Sequence, residues 1–166
     1  GFVPDYYICI NGALVAEGDG LVLSHRPMSQ GQFTAVLDLA EREYCPLGFA
    51  FSESYYMYIG DEIYRPYYQR VNGDMLTLRD GSDRKRHQEG LPYAAFGILP
   101  PGKLERFRDP ALGLHITAYE ENVYDICQAG VTKESGAQAL LDRLGLSWSD
   151  VLAVGDIVGT RVDSRR

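Results

Sequence analysis

Apolar and polar residues along this chain recur with two periods, and the switches between them mark its elements. Residues 6–15 (YYICINGALV) are largely apolar on both sides of Asn11-Gly12. That pair supplies the positive φ values of a tight hairpin, so the segment predicts strand, sharp turn, strand. A second turn over 17–20 leads into an extended 21–23. Ser29 and Gln32 have capping-box spacing, and Phe33, Val36, Leu37 and Ala40 follow at helical intervals, which predicts a helix over Gln30–Glu43. Residues 48–52 and Tyr55–Ile59 predict short aromatic strands. The tyrosine-rich stretch 64–74 shows no period and receives no element. Residues 79–90 (RDGSDRKRHQEG) read as a solvated connector or, alternatively, as a basic patch that grips phosphate.

Further on, 93–99 predicts a strand and 101–108 a short helix closed by Asp109-Pro110. Residues 114–119 and Val123–Gln128 flank a polar turn and predict a hairpin. Thr132 caps a helix whose Ala137, Leu140, Leu141 and Leu144 line one face, with Gly145 as its stop. Residues 151–154 (VLAV) predict a final buried strand. The fold class is therefore α/β, with strand and helix alternating at both chain ends around an α+β insert. Alternation favours a parallel, Rossmann-like sheet whose ligands sit beyond the carboxyl ends of its strands. The expected division is 1–26, 27–113 and 114–166, the first and last segments sharing one core.

Composition narrows the function classes. A net charge of -7 argues against a nucleic-acid or anionic-membrane partner, since both need a basic face. No apolar run reaches the roughly 18 residues of a membrane span, and no basic-then-apolar leader opens the sequence. Cys9, Cys45 and Cys127 are odd in number and widely spaced, which fits neither a disulfide framework nor a zinc ribbon. Reduced thiols make the cytoplasm the expected compartment.

Two residues are candidates for chemistry. Lys133 stands at a helix start, where an ammonium and the positive helix end together can hold a phosphate; the plain alternative is a solvated lysine. Asp156 follows an apolar strand and a glycine, where a carboxylate can ligate Mg²⁺; the plain alternative is the cap of the next turn. One helix and one strand separate them, so a crossover could bring both to the same rim of a sheet.

Gly130-Val131-Thr132-Lys133, followed by ALLDRLGL and VLAVGD, resembles the C-terminal half of the haloacid dehalogenase-like (HAD) phosphatases of the Cof-type branch. The opening YYICINGALV resembles that branch's strand and N-G-A turn, which precede its large cap. The resemblance implies a partial HAD core at both chain ends, an inserted cap domain, and Mg²⁺-dependent phosphoryl transfer through an aspartyl-phosphate on small phosphorylated metabolites such as sugar phosphates. It implies that Lys133 neutralises nucleophile and phosphate charge and that Asp156 binds the metal. Asn11 and Gly12 would shape the hairpin beside the core and contact substrate.

Three departures qualify the resemblance. The family's nucleophile motif, D-x-D on the first strand, is absent, and Asp5 before Tyr6-Tyr7 does not replace it. The second motif, a Thr or Ser with a nearby Gly-Arg, is absent as well. Gly159-Thr160 stands where the family shows Asn-Asp. The expectation is an internal piece of a longer phosphatase, inactive alone, whose strands at 7–10 and 151–154 face a gap and promote self-association. The competing expectation is a noncatalytic ligand- or protein-binding module with a tyrosine-rich surface.

Overall fold

A computed structural model describes residues 4–72 and 78–154. The chain forms two compact units, one built from the segment up to His25 together with the segment from Gly130, the other from Arg26–Ala129.

In the first unit β1 (Tyr6–Cys9), β2 (Leu14–Glu17) and β3 (Val22–His25) form an antiparallel sheet in that order. Against it packs a helix over Lys133–Leu144, which is α4 in chain order. Ala13, Leu14, Val15, Val131 and Leu141 are buried here.

The second unit is a six-stranded sheet in the order β6-β5-β4-β7-β9-β8. Its strands are β4 (Leu47–Ala50), β5 (Tyr55–Ile59), β6 (Leu78–Asp80), β7 (Ala94–Ile98), β8 (Leu114–Glu120) and β9 (Val123–Gln128). All neighbours run antiparallel except β5 and β6. Strand alternation sends Leu47, Phe49, Ala95 and Ile126 into one core with Phe33, Val36 and Leu39 of α1 (Gln30–Glu43) and Leu104 and Phe107 of α3 (Pro101–Phe107). Met57, Phe96 and Val123 enter a second core with Tyr64 and Tyr68 of α2 (Asp61–Asn72).

The mixed α/β class and most elements match the sequence reading, and five details differ. The second unit extends to Ala129, later than the expected division at 113/114, because β9 pairs with β7 along five residues and carries β8 with it. The sheet of the chain ends is antiparallel among the described residues, since short turns join β1, β2 and β3. Residues 151–154 pair with no strand among the described residues: Val151 is extended, but Leu152 and Val154 are about nine-tenths exposed. Residues 61–72 form a helix despite Pro66, because Tyr64 and Tyr68 bury one face and Arg65 makes a paired hydrogen bond to Asp61. The polar run from Arg79 is partly structured, for His87 stacks on Phe33 at 4.5 Å and meets the Tyr58 hydroxyl at 3.3 Å.

Candidate functional site

The N-G loop predicted from sequence is present, with a different shape. Cys9 and Leu14 close the β1–β2 register, and residues 10–13 make a short helical turn in which the Ala13 amide donates to the Ile10 carbonyl at 3.0 Å. Ile10, Asn11 and Gly12 have φ of 50°, 53° and 93°. A β-branched residue at positive φ is strained, so packing must hold Ile10 in place.

That packing comes from the start of α4. A Cβ added at Gly12 would lie 2.0 Å from the Thr132 carbonyl oxygen, closer than any contact allows. The reciprocal position, Gly136, would place a Cβ 2.6 Å from the Gly12 Cα and 2.8 Å from Ile8 Cγ2. Backbone thus lies directly on backbone, which only glycine permits. The helix start is fixed independently: Thr132 Oγ1 accepts from the Ser135 amide at 3.1 Å, and Ser135 Oγ accepts from the Thr132 amide at 2.9 Å.

The structure therefore brings the Asn11-Gly12 loop and the first turn of α4, which carries Lys133, into one place. Lys133 is the first residue of the helix and is exposed, with no ion-pair partner among the described residues. An ammonium beside the free amides of a helix start can hold an anion. Asp156 lies outside the described residues, as does Gly155. Among the described residues no group of three His, Cys, Asp or Glu could hold a metal ion. Cys45 and Cys127 are buried, and burial pushes the Cys45 thiol up, away from a reactive thiolate.

Two features escaped the sequence reading. The buried positions of α4 are Gly136 and Leu141, whereas Leu144, expected on the buried face, is exposed. The available signal was Gly136 itself, since a glycine inside a helical pattern costs about 1 kcal/mol against alanine and points to close packing. Helix α2 also escaped as an element; its Tyr64 and Tyr68 pack the second core, and with Tyr67 they line a cavity there.

A family model for haloacid dehalogenase-like hydrolases matches residues 2–157, and the chain belongs to that family. A search of curated proteins found no match. Solved structures share the fold. A HAD-superfamily phosphatase from Bacteroides thetaiotaomicron, BT1666, is 18% identical with a TM-score of 0.72, covering 88% of this chain and 54% of its own. The HAD subclass IIB sugar phosphatase BT4131 is 15% identical with a TM-score of 0.68, covering 86% and 54%. A hypothetical protein from Geobacillus kaustophilus HTA426 is 21% identical with a TM-score of 0.75, covering 93% and 59%. The chain thus spans between 54% and 59% of the length of these relatives. No helix among the described residues is long and apolar enough to cross a membrane.

Proposed function

We propose that this chain carries the cap and part of the core of a Mg²⁺-dependent HAD-type phosphatase of the cytoplasm, acting on small phosphorylated metabolites such as sugar phosphates. The observation that carries this reading is the Gly12 loop seated on the first turn of α4, which presents Lys133 as the first residue of the helix. In this reading the unit of the chain ends is the core and Arg26–Ala129 is the cap. Lys133 neutralises phosphate charge, the amides of the α4 start add to it, and Asn11 and Gly12 shape the substrate side of the loop.

The described residues do not by themselves fit a magnesium site. The ion would rest on Asp156 with partners supplied elsewhere in the whole protein, and when bound it would neutralise charge on the phosphoryl oxygens. The chain alone does not turn over, because its first strand carries no D-x-D motif to supply the aspartate nucleophile. Its coverage of little more than half the length of similar phosphatases supports this reading. The exposed Tyr7, Ile8, Leu152 and Val154, together with the open edge of β1, support self-association of the isolated chain.

The test begins with the reading frame upstream of Gly1. An aspartate motif there, followed by Mg²⁺-dependent hydrolysis of p-nitrophenyl phosphate by the extended protein and none by the chain alone, is the expected result. Lys133→Ala in the extended protein should lower kcat/KM by about a hundredfold or more while leaving the melting temperature unchanged. An intact upstream frame without the motif overturns the reading and favours the competing one, a noncatalytic binding module. One observation supports that alternative, the tyrosine-lined cavity of the second unit.

A further inference from the structure

The six-stranded sheet of Arg26–Ala129 ends in two edges that are unlike. Among the described residues β6 is three residues long and presents Arg79 and Asp80, charges that blunt an edge against further pairing. The opposite edge, β8, is seven residues long, the longest strand of the sheet. Before Glu120 it carries no Lys, Arg, Asp, Glu or Pro. Its bulge falls between Ala118 and Glu120, at the far end. The usual guards of an edge strand are thus missing from 114–118.

Register decides which backbone groups of β8 face outward. The Ala129 amide donates to the Gly113 carbonyl at 2.8 Å, and the antiparallel ladder continues from there with alternating bonded and non-bonded pairs. His115 opposite Cys127 and Thr117 opposite Asp125 are therefore the bonded pairs. The other side of β9 agrees: the Leu99 amide donates to the Asn122 carbonyl at 2.7 Å, so β9 bonds β7 through its even-numbered residues and β8 through its odd-numbered ones. Leu114, Ile116 and Ala118 consequently turn both amide and carbonyl away from β9, to a side where no further strand lies among the described residues. Their side chains share a face, on which Leu114 and Ile116 pack at the margin of the first core and Ala118 is exposed. His115 and Thr117 take the opposite face, with Thr117 Oγ1 3.2 Å from His115 Nε2.

We infer that β8 is the joint of a two-fold homodimer, in which the β8 strands of two copies pair antiparallel and unite two sheets into one. Centred on Ile116, this register sets Ile116 against its counterpart in the second copy, Leu114 against Ala118, and His115 against Thr117. Every outward amide and carbonyl of 114, 116 and 118 is then bonded in both copies. Apolar side chains meet on the core face, polar ones on the other, and no charge faces its like. Sliding the pair by two residues leaves one outward residue of each copy without a partner. The second copy is the fitting occupant because the pattern around Ile116 reads alike in both directions, and because two chains of net charge -7 approach with least repulsion along an uncharged run. A strand-to-strand joint buries less than the roughly 1,600 Å² of a standard interface, so the dimer is weak and concentration-dependent. The joint lies within Arg26–Ala129, apart from the β1 edge, and stands independently of phosphoryl transfer.

Residue-resolved hydrogen exchange of the chain at about 20 µM and about 1 mM, with sedimentation velocity at both, tests it. For a dissociation constant of about 100 µM, the amides of Leu114, Ile116 and Ala118 should exchange about threefold more slowly at the higher concentration, while those of His115 and Thr117 stay protected at both. Ala118→Pro removes an outward N–H and no bond within the protomer, so the fold should survive by circular dichroism while the concentration dependence is lost. Ala118→Glu leaves the backbone intact, sets a carboxylate opposite Leu114 of the second copy, and should have the same effect. Exchange of the three outward amides that is equal at both concentrations overturns the inference, whether they are protected throughout, because another segment covers the edge, or at neither. Concentration-dependent protection that persists in both variants overturns it too, and so does an oligomer in which these amides stay unprotected, which would run through another surface such as β1.

Discussion

The two units close helices onto a sheet by opposite means. In the unit of the chain ends, α4 meets the β1–β2 loop through Gly12 and Gly136, with no side chain between the two backbones. In the other unit, α1 reaches the sheet through rings, with its Phe33 centred 4.8 Å from Phe49 of β4, which in turn lies 4.9 Å from Tyr58 of β5. Backbone contact fixes position closely while burying little apolar area; ring packing buries much area and adapts more readily. The unit with Lys133 is thus built for placement, and the other for a large core around a cavity.

The comparison can be broken by separating the two unfolding transitions. Trp148, the single tryptophan, belongs to the first unit, where its indole N–H donates to Gln138 Oε1 at 2.5 Å. Most tyrosines belong to the second. Phe49→Ala should therefore lower the tyrosine-monitored stability by about 3–5 kcal/mol, the usual cost of emptying a buried phenylalanine site, and leave the tryptophan transition in place. Gly12→Ala should do the reverse. Its Cβ would meet the Thr132 carbonyl and its backbone would keep a φ of 93°, a combined cost of about 3 kcal/mol read by tryptophan fluorescence in denaturant. If both signals move together in both variants, the units unfold as one and the contrast between them fails.

The capping boxes of α1 and α4 sharpen the same point at smaller scale. Ser29 accepts from the Gln32 amide at 3.2 Å while Gln32 Oε1 accepts from the Ser29 amide, and Thr132 and Ser135 repeat the pattern on α4. Ser29→Ala and Thr132→Ala should each cost about 1 kcal/mol, each in its own transition. Thr132→Ala should also disturb the loop contact, so its effect on the tryptophan signal should exceed that of Ser29→Ala on tyrosine.

Those caps show what the sequence makes legible. Ser29-Gln32, Thr132 and Gly145 act within a few residues, so their geometry follows from spacing alone. The placement of Lys133 at a helix start and of Asn11-Gly12 in the β1–β2 turn was legible from motif and order. What escaped is nonlocal. Gly12 against Gly136 joins residues far apart in the chain, and no local pattern announces it. The β8–β9 hairpin was legible, but its membership of the larger sheet depends on β7 and moved the division of the chain from 113/114 to 129/130. Helix α2 escaped because the tyrosine-rich stretch 64–74 reads as aperiodic, the helical spacing of Tyr64, Tyr67, Tyr68 and Val71 being obscured by the aromatic and polar residues between them. The apolar run 151–154 predicts burial, but pairing needs a neighbouring strand, and an apolar run says nothing of where that strand is.

The smallest effect separates side-chain electrostatics from packing in the second unit. Glu53 accepts from Arg86 Nε at 2.7 Å and from Nη2 at 3.0 Å, and this guanidinium holds its carboxyl at about 2, below an ordinary 4.5. A depressed carboxylate stabilises the fold above its unfolded value, and that contribution fades as pH falls from about 4.5 through about 2. The Glu53 side chain is 39% exposed, so solvent screening keeps the contribution to about 1 kcal/mol or less. Glu53→Gln should therefore lower the tyrosine-monitored melting temperature at pH 7 by no more than about 5 °C. The gap to the native chain should narrow steadily below pH 4.5 and close only below about pH 2, where both chains carry a neutral side chain at this position. A gap that stays constant over that range would assign the loss to the altered packing of Arg86 on Phe51, whose ring centre lies 4.4 Å from the guanidinium, and not to the charge.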